Sequence, residues 1–168
     1  VIQKKICLVG VYGTGKTSLV RQFVYSKFSD KYHSTVGVKI DRKQVDLEGT
    51  TVNLLIWDLE GRDGHQDIQT SYLRGSSGVI YVVDGTRRET FEQLLELRAV
   101  VDKAIGSVPS VAAVNKVDLV DQWQVSEQQY SALDETKWHK LKTSAKTGVG
   151  VEDAFRWLAG AMVGGAQS

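Results

Sequence analysis

One cysteine, one proline and no long apolar run: each scarcity in this chain removes a class of protein. With Cys7 alone there is no internal disulfide framework, and the chain fits a reducing, cytoplasmic compartment. Cys7 lies in the apolar run Ile6-Cys7-Leu8-Val9, so a buried structural thiol is expected rather than a nucleophile. No stretch approaches the roughly 20 apolar residues that span a bilayer, and none reads as a signal peptide. There is almost no net charge (+1), so no global field points to nucleic acid or an anionic membrane. The three histidines, His33, His65 and His139, show no metal-ligand spacing and have no cysteine partner, so no zinc site is expected. Repeats, low-complexity blocks and Pro/Gly-rich linkers are also lacking, which makes residues 1–168 one domain. The chain starts at Val1 and has no cysteine near its end, so no prenylation signal is expected within it. An anchoring tail or flanking domains stay open.

What is present is an ordinary globular balance, 42% hydrophobic and 24% charged, in a strand–helix alternation. That alternation is the pattern of an α/β sheet with helices on both faces. Strands are expected at Ile6–Val9, Val38–Leu47, Val52–Asp58, Gly78–Asp84, Val111–Val114 and Trp138–Leu141. Glu48-Gly49 joins the second and third as a hairpin. Gly78–Asp84 is a continuous apolar run ending in a carboxylate, as in a central parallel strand. Helices are expected over Gly15–Val24, after a capping box at Thr86 and Glu89, after Ser126 and Gln129, and through the final segment. The second carries a stripe of Phe91, Leu94, Leu95, Val101 and Ile105. The last carries Val151, Ala154, Phe155, Leu158 and Met162. These stripes read as core, as do Trp123 and Trp138.

Gly10-Val11-Tyr12-Gly13-Thr14-Gly15-Lys16-Thr17 matches G-x-x-x-x-G-K-[ST] in full, between a strand and a helix. Glycines let the backbone curl so that successive N–H groups face phosphate oxygens, and the helix macrodipole adds to that field. Lys16 would bridge β- and γ-phosphates, and the Thr17 hydroxyl would coordinate Mg²⁺. A Gly-rich turn with a solvated lysine is the competing reading, and it does not explain the full match in that context.

Asn115-Lys116-Val117-Asp118 follows a strand, where a ligand-facing loop should begin. A carboxylate such as Asp118 can accept from guanine N1–H and N2–H₂, a donor pair that adenine lacks. Facing adenine it would stay desolvated and unpaired, at a cost of about 1–3 kcal/mol or more. Ser144-Ala145-Lys146 is its companion, offering a backbone N–H to guanine O6.

With these three motifs in order and at their spacing, nearly the whole chain resembles the Ras superfamily of small GTPases, nearest to its Rab branch. The resemblance implies a P-loop NTPase G domain. Its fold is a mostly parallel six-stranded sheet with one antiparallel strand and helices on both faces. It implies GTP and GDP as substrate and product, Mg²⁺ as cofactor, and an effector, an exchange factor and an activating protein as partners. The isolated domain would be a monomer. Gly13, Thr14, Gly15, Lys16, Thr17 and Ser18 would contact the nucleotide, as would Asn115, Lys116, Asp118, Ser144, Ala145 and Lys146, with Phe28 stacked on the base edge. Thr35, in Ser34-Thr35-Val36-Gly37-Val38, would bind Mg²⁺ and the γ-phosphate. Trp57-Asp58-Leu59-Glu60-Gly61 matches the family's D-x-x-G, with Asp58 holding Mg²⁺ through water and the Gly61 N–H on the γ-phosphate. Loss of those contacts on hydrolysis would release both segments.

Three residues depart from the family. Arg62 stands where glutamine usually orients the attacking water, Glu60 where alanine is common, and Tyr12 where a small residue leaves room for an external arginine. Slow intrinsic hydrolysis is the favoured expectation, because water positioning tolerates little geometric error. The competing readings are rescue by Gln66, His65, Glu60 or Arg62 itself, or an exposed Glu60–Arg62 ion pair worth about 0–1 kcal/mol. A binding-only module and a regulatory G domain of a larger protein remain alternatives. An ATP-using enzyme ranks last, because Asp118 would face adenine unpaired.

Overall fold

A strand buried at every position needs cover on both faces. In a computed structural model, which describes residues 1–29, 35, 37–59, 70–135 and 138–165, two strands meet that condition. They are β4 (Gly78–Asp84) and β5 (Ser110–Asn115), buried along their whole lengths. They pair in parallel; β4 also pairs in parallel with β1 (Ile2–Val9), and β1 with β3 (Thr50–Leu59). The antiparallel strand is β2 (Val38–Leu47), which reaches β3 through the two-residue turn Glu48-Gly49, with Gly49 at φ +77°. With β6 (His139–Lys142) parallel to β5, the order is β2-β3-β1-β4-β5-β6, the six-stranded sheet expected from the sequence.

The helices are α1 (Lys16–Tyr25), α2 (Arg88–Glu92), α3 (Leu94–Ile105), α4 (Glu127–Ala132) and α5 (Val151–Gly165). Because strand side chains alternate in direction, β1, β4 and β5 feed two cores at once. Ile6, Leu8, Ile80, Val82 and Val111 face α1 and α5, where Phe23 and Phe155 stack with centroids 4.0 Å apart. Cys7, Val9, Val79, Tyr81 and Val83 face the other way, onto Leu94, Leu97 and Val101 of α3. The α5 stripe of Val151, Ala154, Phe155, Leu158 and Met162 is buried as expected, and Cys7 is fully buried.

Two local expectations fail for identifiable reasons. The capping box at Thr86 does not form: its hydroxyl and N–H both go to the Asp84 carboxylate, at 2.6 and 2.9 Å, and α2 starts only at Arg88. The expected single helix is interrupted at Gln93, and within α3 Leu95 lies about 100° round from Leu94, off the face that buries Leu94, Leu97 and Val101, and is 67% exposed. The capping box of Ser126 and Gln129 does form. Strand β1 starts four residues earlier than its apolar run, because backbone pairing with β3 from Ile2↔Val52 onward needs no apolar side chain.

Trp123 and Trp138 both pack on the α3 side of the sheet. The Trp123 ring lies over Gly85, where a Cβ would come within 2.0 Å of ring atoms. Overpacking of this kind costs about 1–3 kcal/mol, so Gly85→Ala should lower stability by that amount in urea denaturation. Adding Trp123→Leu to Gly85→Ala should recover most of the loss, and a purely additive double variant would contradict the steric account.

Candidate functional site

In a parallel sheet the loops leaving the carboxyl ends of neighbouring strands converge at one edge. Here β1, β4 and β5 deliver the phosphate loop, the Asp84 turn and the Asn115 loop side by side. The loop between Val9 and Lys16 curls tightly, with Gly13 at φ +77° and Gly15 at φ +99°, a backbone region that disfavours side chains. A Cβ at Gly15 would also sit 2.4 Å from Asn115 Nδ2.

Curling the N–H groups inward turns the carbonyls outward, and each needs a donor. Lys16 Nζ donates to Gly10 O (3.0 Å) and Val11 O (3.2 Å), and Thr14 Oγ1 also donates to Val11 O (3.1 Å). Arg87 Nη2 donates to Tyr12 O (2.6 Å), Lys116 Nζ to Gly13 O (3.1 Å) and Asn115 Nδ2 to Thr14 O (3.0 Å). Gly15 O accepts from Leu19 N, the first turn of α1. Every carbonyl from Gly10 to Gly15 is satisfied.

Lys16 is 6% exposed and its ammonium meets only carbonyl oxygens among the described residues. Burial pulls it down to about 8, with nearby Asp58 opposing and Arg87 reinforcing the shift. An anion placed beside it would favour the charged form and oppose that shift. One turn on, Thr17 Oγ1 lies 2.8 Å from Thr35 Oγ1 and 2.5 Å from Asp58 Oδ2; Thr35 Oγ1 is 3.3 Å from the same oxygen. Asp58 is fully buried at the end of β3, and its Oδ1 has no partner among the described residues. Burial pushes its carboxyl up, against hydrogen bonds from Thr17 and Thr35 and the Lys16 charge. Two hydroxyls and an under-satisfied carboxylate form an oxygen donor set suited to a hard divalent cation.

On the far side, Thr143 Oγ1 donates to Asn115 Oδ1 (3.0 Å), so the Asn115 amide is fully committed to joining two loops. Ser144 Oγ donates to Asp118 Oδ1 (2.8 Å) and accepts from Thr147 N (3.0 Å). Ala145 is buried, Lys146 exposed, and Ser18 half-buried on α1. Phe28 is 39% exposed, away from either core. The structure therefore brings together Gly13 through Ser18, Thr35, Asp58, Asn115, Lys116, Asp118 and Ser144 through Lys146. Gly61, Arg62 and Gln66, with Glu60 and His65, lie outside the described residues.

Sequence reasoning missed the centre of this network. Asp84 accepts from Lys116 Nζ (2.8 Å) and Arg87 Nε (3.1 Å) through Oδ2, and from Thr86 through Oδ1. Burial alone would push its carboxyl up, but the bonds from Lys116 and Thr86 outweigh it and hold it below the usual range. The signal was available: a carboxylate closing a central parallel strand stands at the ligand edge.

The family model that matches the chain is that of the Ras family, over residues 5–163. Curated relatives include Ras-related protein Rab-1 of Theileria annulata, 35% identical across 94% of this chain and 73% of that protein. Ras-related protein RABA2d of Arabidopsis thaliana is 36% identical across 90% of this chain and 71% of its own length. Ras-related protein Rab-13 of Rattus norvegicus is 33% identical across 92% and 77%.

Asp84→Asn should destabilise the protein by roughly 1–3 kcal/mol, discounted for the partial exposure of Lys116 and Arg87. A depressed carboxyl stabilises above its unfolded value and loses that contribution as pH falls through its folded value. The gap between wild type and Asp84→Asn in urea midpoints should therefore be constant from about pH 8 to pH 5 and close below about pH 4. A gap that widens in acid would contradict the assignment.

Proposed function

The chain belongs to the Ras family as a Rab-like small GTPase, a switch that binds guanine nucleotide and hydrolyses GTP, and on that premise we propose how its own residues divide the work. The observation that carries the reading is the buried Lys16 ammonium, held on its own loop's carbonyls beside the Thr17–Thr35–Asp58 oxygen cluster. Lys16 leaves Gly10 O and Val11 O for the β- and γ-phosphate oxygens, exchanging carbonyl partners for charged ones. Thr17 and Thr35, with Asp58 through water, would hold Mg²⁺, which would supply neutralisation of the phosphate charge when bound. The inward N–H groups of Gly13 to Ser18 cradle the phosphates.

Asp118 reads guanine, its Oδ1 fixed by Ser144 so that the carboxylate plane is set before the base arrives. Ala145 supplies its N–H to guanine O6, Lys116 and Lys146 flank the base, and Phe28 stacks at its edge. Thr35 and the Gly61 N–H sense the γ-phosphate, and an effector reads the two segments they order. An exchange factor and an activating protein complete the cycle of a cytoplasmic monomer. No helix among the described residues is long and apolar enough to cross a membrane.

Hydrolysis is intrinsically slow. A water-orienting amide both accepts from and donates to water and phosphate, whereas the Arg62 guanidinium only donates. Tyr12, half exposed on the phosphate loop, crowds the approach of an external arginine. The same two residues support the second reading, a module that binds GTP without converting it.

Single-turnover GTP hydrolysis with Mg²⁺ separates the readings. Wild type should turn over at or below about 10⁻³ s⁻¹, and Arg62→Gln should gain at least about tenfold. No conversion by either protein would favour the binding-only module, and brisk wild-type turnover undiminished by Arg62→Ala would sink the slow-hydrolysis claim. Chelating Mg²⁺ with EDTA should speed release of bound GDP by an order of magnitude or more, about 1.4 kcal/mol per tenfold. An unchanged release rate would remove Thr17, Thr35 and Asp58 as ion ligands.

A further inference from the structure

One tie in the carbonyl row of the phosphate loop comes from outside every motif. Lys16, Lys116 and Asn115 belong to the nucleotide motifs, but Tyr12 O is held by Arg87, in the turn between β4 and α2 and 75 residues away. Arg87 Nε grips Asp84 Oδ2 at 3.1 Å, the oxygen that Lys116 Nζ grips at 2.8 Å. One buried carboxylate oxygen thus anchors two cations that reach adjacent carbonyls, Tyr12 O and Gly13 O.

A trans peptide is planar, so pinning a carbonyl outward points the next residue's N–H inward. Arg87 on Tyr12 O sets the Gly13 N–H, Lys116 on Gly13 O sets the Thr14 N–H, and Asn115 on Thr14 O sets the Gly15 N–H. Of these three peptides, the one between Tyr12 and Gly13 most needs a clamp. Gly13 sits at φ +77° with no Cβ to bar rotation, whereas the fully buried Thr14 is held by its own side chain. Arg87 spans the two groups with separate nitrogens of one rigid plane, Nε on Asp84 Oδ2 and Nη2 on Tyr12 O, whereas Lys116 joins the same carboxylate oxygen to Gly13 O through a single nitrogen on a flexible stem.

We infer that Arg87 is a positioning residue for nucleotide retention: through Tyr12 O it holds the Gly13 N–H toward the polyphosphate and slows release. This rests on the nucleotide-binding reading above. It adds a residue that the base and phosphate motifs do not contain.

The test is the release rate of N-methylanthraniloyl-GDP, chased with excess GDP in Mg²⁺, for wild type, Arg87→Ala, Arg87→Lys and Arg88→Ala. Losing one charge-assisted bond, discounted for the 37% exposure of the Arg87 side chain, should speed release about tenfold in Arg87→Ala. Arg87→Lys, which keeps the charge and one of two bonds, should fold normally and release about threefold faster. Arg88→Ala, an exposed neighbour with the same charge change, should match wild type. Affinity for GMP, which lacks the phosphates beyond the first, should fall less than about twofold in Arg87→Ala, whereas a general loosening of the fold would weaken GMP and GDP alike. Release within about twofold of wild type for both Arg87 variants overturns the inference, as does equal acceleration by Arg88→Ala or an equal loss for GMP. A wild-type chain that holds no GDP overturns the nucleotide-binding reading itself, a result distinct from all of these.

Discussion

A loop that turns its amides inward must find donors for the carbonyls it turns outward, and the architecture of the site follows from that requirement. Leaving a buried carbonyl unpaired costs about as much as a hydrogen bond in a dry interior, and six successive carbonyls need satisfying here. The donors come from three separate strand ends: Lys16 beyond β1, Arg87 beyond β4, and Asn115 with Lys116 at β5. Gly10 O, Val11 O and Gly15 O find donors close in sequence, in Lys16, Thr14 and Leu19, but Tyr12 O, Gly13 O and Thr14 O take theirs from the ends of β4 and β5. Only a parallel sheet that brings β1, β4 and β5 side by side delivers all of them to one edge, so the fold and the loop are one constraint.

The same constraint couples the two halves of the pocket. Asn115 donates to the phosphate loop and accepts from Thr143, while Val117 N donates to Thr143 O. The base-side loops and the phosphate loop are therefore tied through one amide. A disturbance at Thr143 reaches Thr14 O through two hydrogen bonds without crossing solvent. The Thr17–Thr35–Asp58 cluster makes no such tie across the pocket: among the described residues its side chains bond one another. That division matches a protein whose grip on the nucleotide persists while its sensing segments change.

Most of the fold could be read from periodicity. Buried strands such as Gly78–Asp84 announce themselves as apolar runs, the α5 stripe follows its 3.6-residue repeat, and Glu48-Gly49 marks the hairpin. The sequence failed where a polar side chain had two possible partners. Thr86 could cap a helix or bond Asp84, and only the tertiary arrangement of Asp84 with Lys116 and Arg87 decides between them. Leu95 misled for a simpler reason: it is apolar, but it stands beside Leu94 on the helix and off the face that Leu94, Leu97 and Val101 bury. Arg87 was invisible for the same reason: its partner Tyr12 O is a backbone atom, and no side-chain pattern records which carbonyls need donors. The motif residues were legible because their spacing repeats a known chemistry, whereas the residues that hold the motifs in shape carry no spacing of their own.

Lys116 makes the point in its backbone. It is one of two described non-glycine residues with positive φ, at +72°, a conformation costing on the order of 1–2 kcal/mol for a side chain of this kind. A glycine there would remove the strain but also the ammonium, and a lysine with ordinary φ would send the chain elsewhere after β5. The left-handed turn does two things together. It swings Nζ back over the phosphate loop to Gly13 O and Asp84, and it redirects the backbone so that Val117 N meets Thr143 O and Asp118 meets Ser144. Two bonds from a cation and one backbone bond are enough to offset the strain. The strain falls where the chain passes from the ties of the phosphate loop to the Asp118–Ser144 pair proposed to read the base, and Lys116 takes part on both sides of that turn.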